Sequence, residues 1–492
     1  MIRRIFDLIG IDTQQYCLVL DSDGLWRRFA CDEALRQEGF VVEHFSDDMQ
    51  LRRYYEFDFA SWKPDQKGAI VIDAPDMYVP TDIRAHFHCV NLSFEQLFPM
   101  LQANVLRELP GVDFDAIAFC SRNFILRAKD RAETLAFCQQ QVLCGEYGAA
   151  YGRALIEQAA NDAAIAQSHK DWERVAMLYG KAAMIAHSGV SIHEFEQKRS
   201  AIEQAFAQWI PSKYNMLSGS VDRKRPVLLS KVADYIRRAS SKVALIVMDG
   251  MSFEDYYIIR QYLSAEDLSF ADTASFSFFP TVTSVARQSI FSGKLPLEHE
   301  KPFSLDNEEK QWREYWKQAG LHDSDIGFFK GIPAEIPAQA KALGIIINIV
   351  DDLMHSELQG LTGMQQGIRE WMRQGQLYCL LHDLLEAGFS VFMTSDHGNT
   401  SAIAQGRFTK PGLLAEPASR RAVIYQSQFD ARELEKFDVM RYAGIYLPDG
   451  YTSYLFDTDV CYGDSGKEYI THGGYTVEEA IVPFVRIGVY HG

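Results

Sequence analysis

None of the eight cysteines stands in a C-x-x-C pair. Cys17, Cys31, Cys89, Cys120, Cys138, Cys144, Cys379 and Cys461 are scattered along the chain. That spacing excludes a thiolate zinc site or a paired redox motif and reads as a reduced, intracellular protein. Long apolar runs are also missing. None approaches the roughly 18 residues that a transmembrane helix needs. The start, "MIRRIFDLIGID", has a basic flank, but Asp7 and Asp12 interrupt its apolar stretch and no small-residue cleavage site follows. A cytoplasmic protein without a membrane partner is expected. Positive charge is in the minority, with 49 Lys and Arg against 66 Asp and Glu and a net charge of −17. Such a surface excludes a general grip on nucleic-acid backbone, though not a small nucleotide or a strand held near bound cations. The compact basic patch "RKRP" (Arg223–Pro226) reads as a solvated linker, and no basic track interleaved with aromatics accompanies it. There is no internal repeat and no low-complexity tract.

What is present is ordinary globular composition, with 47% apolar and 23% charged residues over 492 positions. That length predicts two or three domains. Residues 1–125 read as a small α/β domain. "YCLVLD", "GAIVID" and "HCVNLS" are short apolar runs, and helical patterns such as "DEALRQEGF" lie between them. Residues 126–238 are Ala-rich with apolar positions at helical spacing, which predicts a helical domain or linker. Residues 239–492 return to α/β texture. "VALIVMD", "GIIINIVDD", "SVFMTSD" and "IVPFVRIGV" are continuous apolar runs of the kind buried on both faces. "TSVARQSIFSG" and "GQLYCLLHDLLEAG" are helical candidates between them. The expectation is a large, mostly parallel sheet with helices on both faces.

In open α/β sheets ligands sit beyond the carboxyl ends of the strands, and that is where metal-type side chains recur. "VALIVMDG" delivers Asp249. "IINIVDDLMH" delivers Asp351, with His355 four residues on, so both share a helix face if a helix begins there. "VFMTSDHG" delivers Asp396 and His397 side by side, a pair that can reach one metal from two sides or two metals. Gly398 behind them suits a turn with no room for a Cβ. "YITHGGYT" places His472 before two glycines. "FFPTVTSVARQSIFSG" adds Thr281 and Thr283 at a helix N-terminus, where free N–H groups and the helix dipole favour an anion. Taken one at a time, each has an ordinary reading: a turn, a cap or a surface pair. "LDSDG" at Asp21–Gly24 is a decoy of that kind.

The order Asp-Gly, Pro-Thr-x-Thr, Asp-x-x-x-His, Asp-His-Gly, His-Gly-Gly resembles the alkaline phosphatase superfamily. "VMDGMSFEDY", "FPTVTSVARQSIFSG", "VDDLMH", "TSDHGN" and "ITHGGYTVEEAIVPFV" are similar to its PglZ branch, found in bacteriophage-defence (BREX) systems and in some response-regulator proteins. The resemblance covers about residues 240 to 492 and implies an alkaline-phosphatase-like fold with two divalent metal ions. Asp249, Thr283, Asp396 and His397 would hold one. Asp351, His355 and His472 would hold the other. Asp352 is an alternative to Asp351, but only Asp351 has the spacing to His355. Thr283 would be the nucleophile, ahead of Thr281, and Arg287 one turn on would hold a phosphate oxygen.

The implied activity is metal-dependent phosphohydrolysis, foremost of phosphodiesters in nucleotides or oligonucleotides. Nitrogen and oxygen donors suit zinc first and manganese second. A sulfatase is disfavoured, because threonine stands where sulfatases need Cys or Ser. Two rivals remain at this stage. One is a scaffold subunit of a defence complex, with protein partners and little catalysis. The other is a phosphomutase, for whose cap domain the stretch between Gly293 and Lys341 is short.

Overall fold

The computed structural model describes residues 1–492 apart from 30, 75, 110, 127–129, 265–267, 357–359, 408–418, 427–433, 435, 443 and 490–492. Met1–Tyr147 and Gly148–Val489 form two compact units.

In the first unit, four parallel strands lie in the order Phe40–Phe45, Lys67–Ile72, Tyr16–Asp21, His88–Leu92. Three of them are the expected apolar runs. The helix expected from Asp32 ends at Gln37, and Phe40 already opens a strand. Leu18, Ile70, Ile72, Leu51 and Ile83 pack in its core. The decoy behaves as one: the Asp21 carboxylate accepts the N–H groups of Leu25 and Trp26 at 2.8 and 2.9 Å, closing a turn.

The second unit contains most of the Ala-rich helices as well as the large sheet. Its first helices include His169–His187 and Phe195–Lys213. Ser168 and Asp171 close the first of these with a reciprocal capping box. Trp172 is fully enclosed beside Phe206 and Trp209. Gly180 lets His169–His187 press against Phe253–Leu263, since a Cβ there would come within 2.4 Å of the Phe253 Cβ.

The six-stranded sheet runs Leu268–Phe276, Ile481–Val489, Ser390–Thr394, Val243–Met248, Ala342–Ile347, Ile326–Lys330. The last four are mutually parallel, and Ile481–Val489 is antiparallel to both its neighbours. Val243–Met248 is buried at every position, which is why it reads as an unbroken apolar run. Helices cover both faces. A Cβ on Gly344 would point at Phe291 and Trp312, whereas Ile347, of opposite parity, lines a cavity together with Trp371 and Leu380. The run "GIIINIV" is not one strand: it ends at Ile347, and the helix Ile349–Ser356 takes over. Leu268–Phe276 and Ile326–Lys330 are edge strands whose mixed burial left no clear run to read.

The stretch after Gly293 joins the sheet through helix Glu308–Gln318 and strand Ile326–Lys330. A different insertion stands between His397 and His472. It contains the antiparallel strands Ala422–Gln426, Val439–Tyr442 and Tyr451–Phe456. A smaller sheet of Val460–Cys461, Thr400–Ala404 and Glu468–Thr471 lies beside it in the chain.

Candidate metal centre

Asp249 leaves the sheet directly after Val243–Met248, and Asp396 and His397 leave it just after Ser390–Thr394, two neighbouring parallel strands. Asp351 and His355 stand one turn apart on Ile349–Ser356, which follows the next strand along. His472 arrives by another route. Thr400–Ala404 starts three residues after His397 and pairs antiparallel with Glu468–Thr471, so that Thr400 faces Thr471. That register returns the chain beside His397. The two imidazoles stack with centroids 4.0 Å apart and planes at 11°.

The side chains form two trios, each with ligand atoms within 4.8 Å of one another: Asp249, Asp396 and His397, and Asp351, His355 and His472. The structure thus brings together the carboxylates and imidazoles expected from the sequence to share each metal. Adjacent Asp396 and His397 serve one trio from two sides. In that trio His397 Nε2 lies 4.0 Å from Asp249 Oδ1 and 3.7 Å from Asp396 Oδ2. Ligands about 2.1 Å from a tetrahedral cation stand about 3.4 Å apart, so a small inward adjustment fits one. The same two carboxylate oxygens are buried without a hydrogen-bond partner among the described residues. A buried oxygen of that kind is costly unless a cation meets it.

Electrostatics point the same way. Burial, reinforced by the charge of Asp396, raises the Asp249 carboxyl well above its ordinary range, although Arg287 opposes the shift. Burial pushes Asp396 up to about 6 against the pull of Arg287. Two carboxylates that resist ionising together form a site short of positive charge. At the other trio burial also disfavours ionisation. There the hydrogen bond from His355, at 3.1 Å, and the nearby imidazoles outweigh it, and Asp351 is held below its usual range. The trios differ in access. Asp249, Asp396 and His397 are all buried, while the side chains of Asp351 and His355 are 22% and 31% exposed.

Both central histidines are locked by one nitrogen. His397 Nδ1 lies 2.9 Å from the Gly398 carbonyl and His472 Nδ1 lies 2.9 Å from the Thr281 carbonyl. Donation there leaves each Nε2 as a lone pair, the form a metal takes. Thr283 opens the helix Thr283–Ser292, and its hydroxyl sits 2.9 Å from His397 Nε2. Thr281 does different work. Its hydroxyl donates to the Gly474 carbonyl at 2.9 Å and accepts the Gly473 N–H at 3.1 Å, tying down the His472 loop. Arg287, expected either to hold a phosphate oxygen or to be structural, makes two ion pairs inside the protein. It is buried, bonded to Asp249 Oδ2 at 2.5 Å and to Glu308 Oε1 at 2.9 Å.

Gly398 is needed for close approach, but what fills the space is protein backbone. A Cβ there would lie 1.9 Å from the Glu478 carbonyl oxygen. Several supporting residues escaped sequence reasoning. Ser395 accepts the Met251 N–H at 2.9 Å and donates at 2.6 Å toward the Met248 carbonyl. Asn399 reaches the Gly250 carbonyl and Asp255 at 2.8 and 2.7 Å. Arg421 and Glu479, both fully buried, pair at 3.0 Å, and Glu479 also accepts the Gly474 N–H at 2.8 Å. The Ser252/Asp255 and Thr476/Glu479 capping boxes carried a readable signal for two of these acids. Arg421 had none.

A family model described as the BREX system PglZ alkaline phosphatase-like domain matches residues 227–487. No curated protein matches. Among solved structures, murine ectonucleotide pyrophosphatase/phosphodiesterase 5 is 13% identical, with 50% of this chain and 87% of that one covered at a TM-score of 0.34. Phosphonoacetate hydrolase from Sinorhizobium meliloti, in complex with phosphonoformate, is 11% identical, with 50% and 90% covered at a TM-score of 0.35. The matched region takes in all the residues of both trios together with Thr283, and on that footing the chain belongs to the PglZ family of alkaline phosphatase-like proteins of BREX systems.

Proposed function

We propose that the protein is a metal-dependent phosphohydrolase acting on phosphodiesters of nucleotides or oligonucleotides, with Thr283 as nucleophile. The observation that carries this reading is the Thr283 hydroxyl at a helix N-terminus, 2.9 Å from His397 Nε2, beside two adjoining trios of nitrogen and oxygen ligands. Asp249, Asp396 and His397, with Thr283, would hold one divalent ion. Asp351, His355 and His472 would hold the other. Zinc suits these donors first and manganese second. Bound there, such ions would acidify the Thr283 hydroxyl and offset the charge of the phosphate.

The chain's own groups then have separate tasks. The Thr283 Oγ1–phosphorus bond forms as the ester P–O bond breaks, and the departing alcohol takes up a proton. Water next cleaves the Oγ1–phosphorus bond, restoring the threonine hydroxyl and releasing the product. The N-terminus of Thr283–Ser292 presents backbone N–H groups to the phosphate. Arg287, engaged by Asp249 and Glu308, orients the Asp249 carboxylate. The half-exposed Asp351/His355 side is the route for substrate and water. The stretch after Gly293, too short for a phosphomutase's cap, is built into the sheet itself. The BREX context suggests protein partners from the same defence system.

The test is elemental analysis of purified protein beside hydrolysis of bis-p-nitrophenyl phosphate, for wild type, His472→Ala and Thr283→Ala. About two metals per chain, fewer in His472→Ala, and activity lost in Thr283→Ala with metal retained are expected. Metal-free protein that stays inactive when zinc or manganese is supplied would overturn the reading.

A further inference from the structure

The groups so far placed around the centre belong to residues 227–487, the stretch matched to the PglZ domain. The helices His169–His187 and Phe195–Lys213 precede that stretch, yet they reach the same loops. Arg199 is 9% exposed. Its Nε donates to the Tyr179 hydroxyl at 2.9 Å, and its Nη2 donates to Thr400 Oγ1 at 3.3 Å and lies 3.5 Å from Glu478 Oε2. Its Nη1 pairs with Asp459. The hydroxyls of Tyr179 and Thr400 both donate to the Glu478 carboxylate. One turn beyond Arg199, Glu203 accepts the Val477 N–H with both oxygens, at 3.0 and 3.3 Å.

These contacts converge on the joint between the two ligand loops. Glu478 supplies the carbonyl against which Gly398 is packed, and Gly398 N–H donates to the Glu479 carbonyl at 3.0 Å. Thr400 opens the strand after His397 and faces Thr471, the residue before His472. Arg199 therefore contacts the start of one loop and, through Glu478, the backbone that wedges it. Burial opposes ionisation of Glu478, but Arg199 and the two hydroxyls outweigh it and hold the carboxyl below its ordinary range. The network is charged, enclosed and nearly saturated with donors, so loss of its single guanidinium leaves several groups unmet.

We propose that Arg199 is a positioning residue for the metal centre, so that helices lying outside the recognised domain complete its ligand geometry. This rests on the two trios binding metal, as in the function proposed above.

The experiment uses the full chain and zinc alone as the probe. Zinc affinity is measured by competition with a chromogenic chelator, alongside urea unfolding and phosphodiester hydrolysis. Arg199→Met is expected to remain folded and to lose about 10–100-fold in zinc affinity. Arg199→Lys restores the charge but not the divided donor pattern, so it recovers the affinity only in part. Thr400→Val, which removes the hydroxyl linking Arg199 to Glu478, shifts affinity in the same direction. A folded Arg199→Met with zinc affinity within about threefold of wild type overturns the proposal, whatever its stability. If that variant does not fold, unchanged zinc affinity in Thr400→Val overturns it instead. Wild type that binds zinc without cleaving phosphodiesters refutes the proposed activity and leaves Arg199 to be judged by zinc affinity. Wild type that binds neither zinc nor manganese refutes both.

Discussion

Gly398→Ala adds one methyl group at the most crowded point behind the metal centre. The new Cβ would stand 1.9 Å from the Glu478 carbonyl oxygen, 3.0 Å from its carbonyl carbon and 3.2 Å from the Ser252 Cα. Those neighbours are backbone, so no side-chain rotation relieves the clash. An ordinary carbon–oxygen contact requires the loop and Val477–Ala480 to part by more than about 1 Å. Overpacking of this kind costs about 1–3 kcal/mol, which appears as a lower urea midpoint. The displaced loop carries His397 and Asp396, and a misplacement of about 1 Å at a reacting group costs up to about 100-fold in rate. Zinc affinity and hydrolysis of bis-p-nitrophenyl phosphate are measured on the same preparation. Gly219→Ala is the control, since nothing lies within 4 Å of its Cβ position. A Gly398→Ala protein with zinc affinity and turnover within about threefold of wild type would refute the idea that this backbone contact sets the ligand geometry.

Other outcomes follow from particular contacts. Thr283→Ala should abolish turnover and keep zinc, whereas Thr281→Val should weaken zinc binding, because the Gly473 N–H and Gly474 carbonyl lose their shared partner at a cost of about 1–3 kcal/mol; a chelator titration separates the two. Arg421→Met leaves the buried Glu479 carboxylate unpaired and should cost about 3–5 kcal/mol in urea unfolding. His187 supplies a pH-dependent term. Burial works against its charged form, but Glu254 at 2.8 Å outweighs that and pushes its pKa up to about 9. A raised folded-state pKa means the stabilisation is complete below the ordinary value of 6.5 and disappears as pH rises through about 9. With the imidazole 29% exposed, screening reduces the effect to about 2 kcal/mol; urea midpoints across that range should show the decline in wild type and not in His187→Gln.

Much of this architecture could be read from local pattern. The fully buried strands announce themselves as unbroken apolar runs, and each is followed by the acid it delivers, as in Met248–Asp249 and Thr394–Asp396. The spacing of Asp351 and His355 is a helical turn, and a helix is there. The reading failed where burial is partial or where an apolar run crosses two elements. Leu268–Phe276 is only partly buried over its first six residues at a sheet edge, and "GIIINIV" passes from strand to helix with a single polar residue, Asn348, between them. Arg287 was legible as a helical residue one turn beyond Thr283, but its engagement with Asp249 and Glu308 was not, because it depends on residues 38 and 21 positions away.

The sequence by itself determined the strand ends, the ligand types and their order along the chain, since strand and helix periodicities and residue chemistry are local properties. Tertiary structure alone decided how they meet. The Thr400–Thr471 register brings His472 onto His397. The Glu478 carbonyl claims the space beside Gly398, and Arg199 reaches in from helices more than 200 residues before the loops it braces. Contacts between segments so far apart leave no period in the chain; they exist only once the sheet and the helices packed on it bring those segments together.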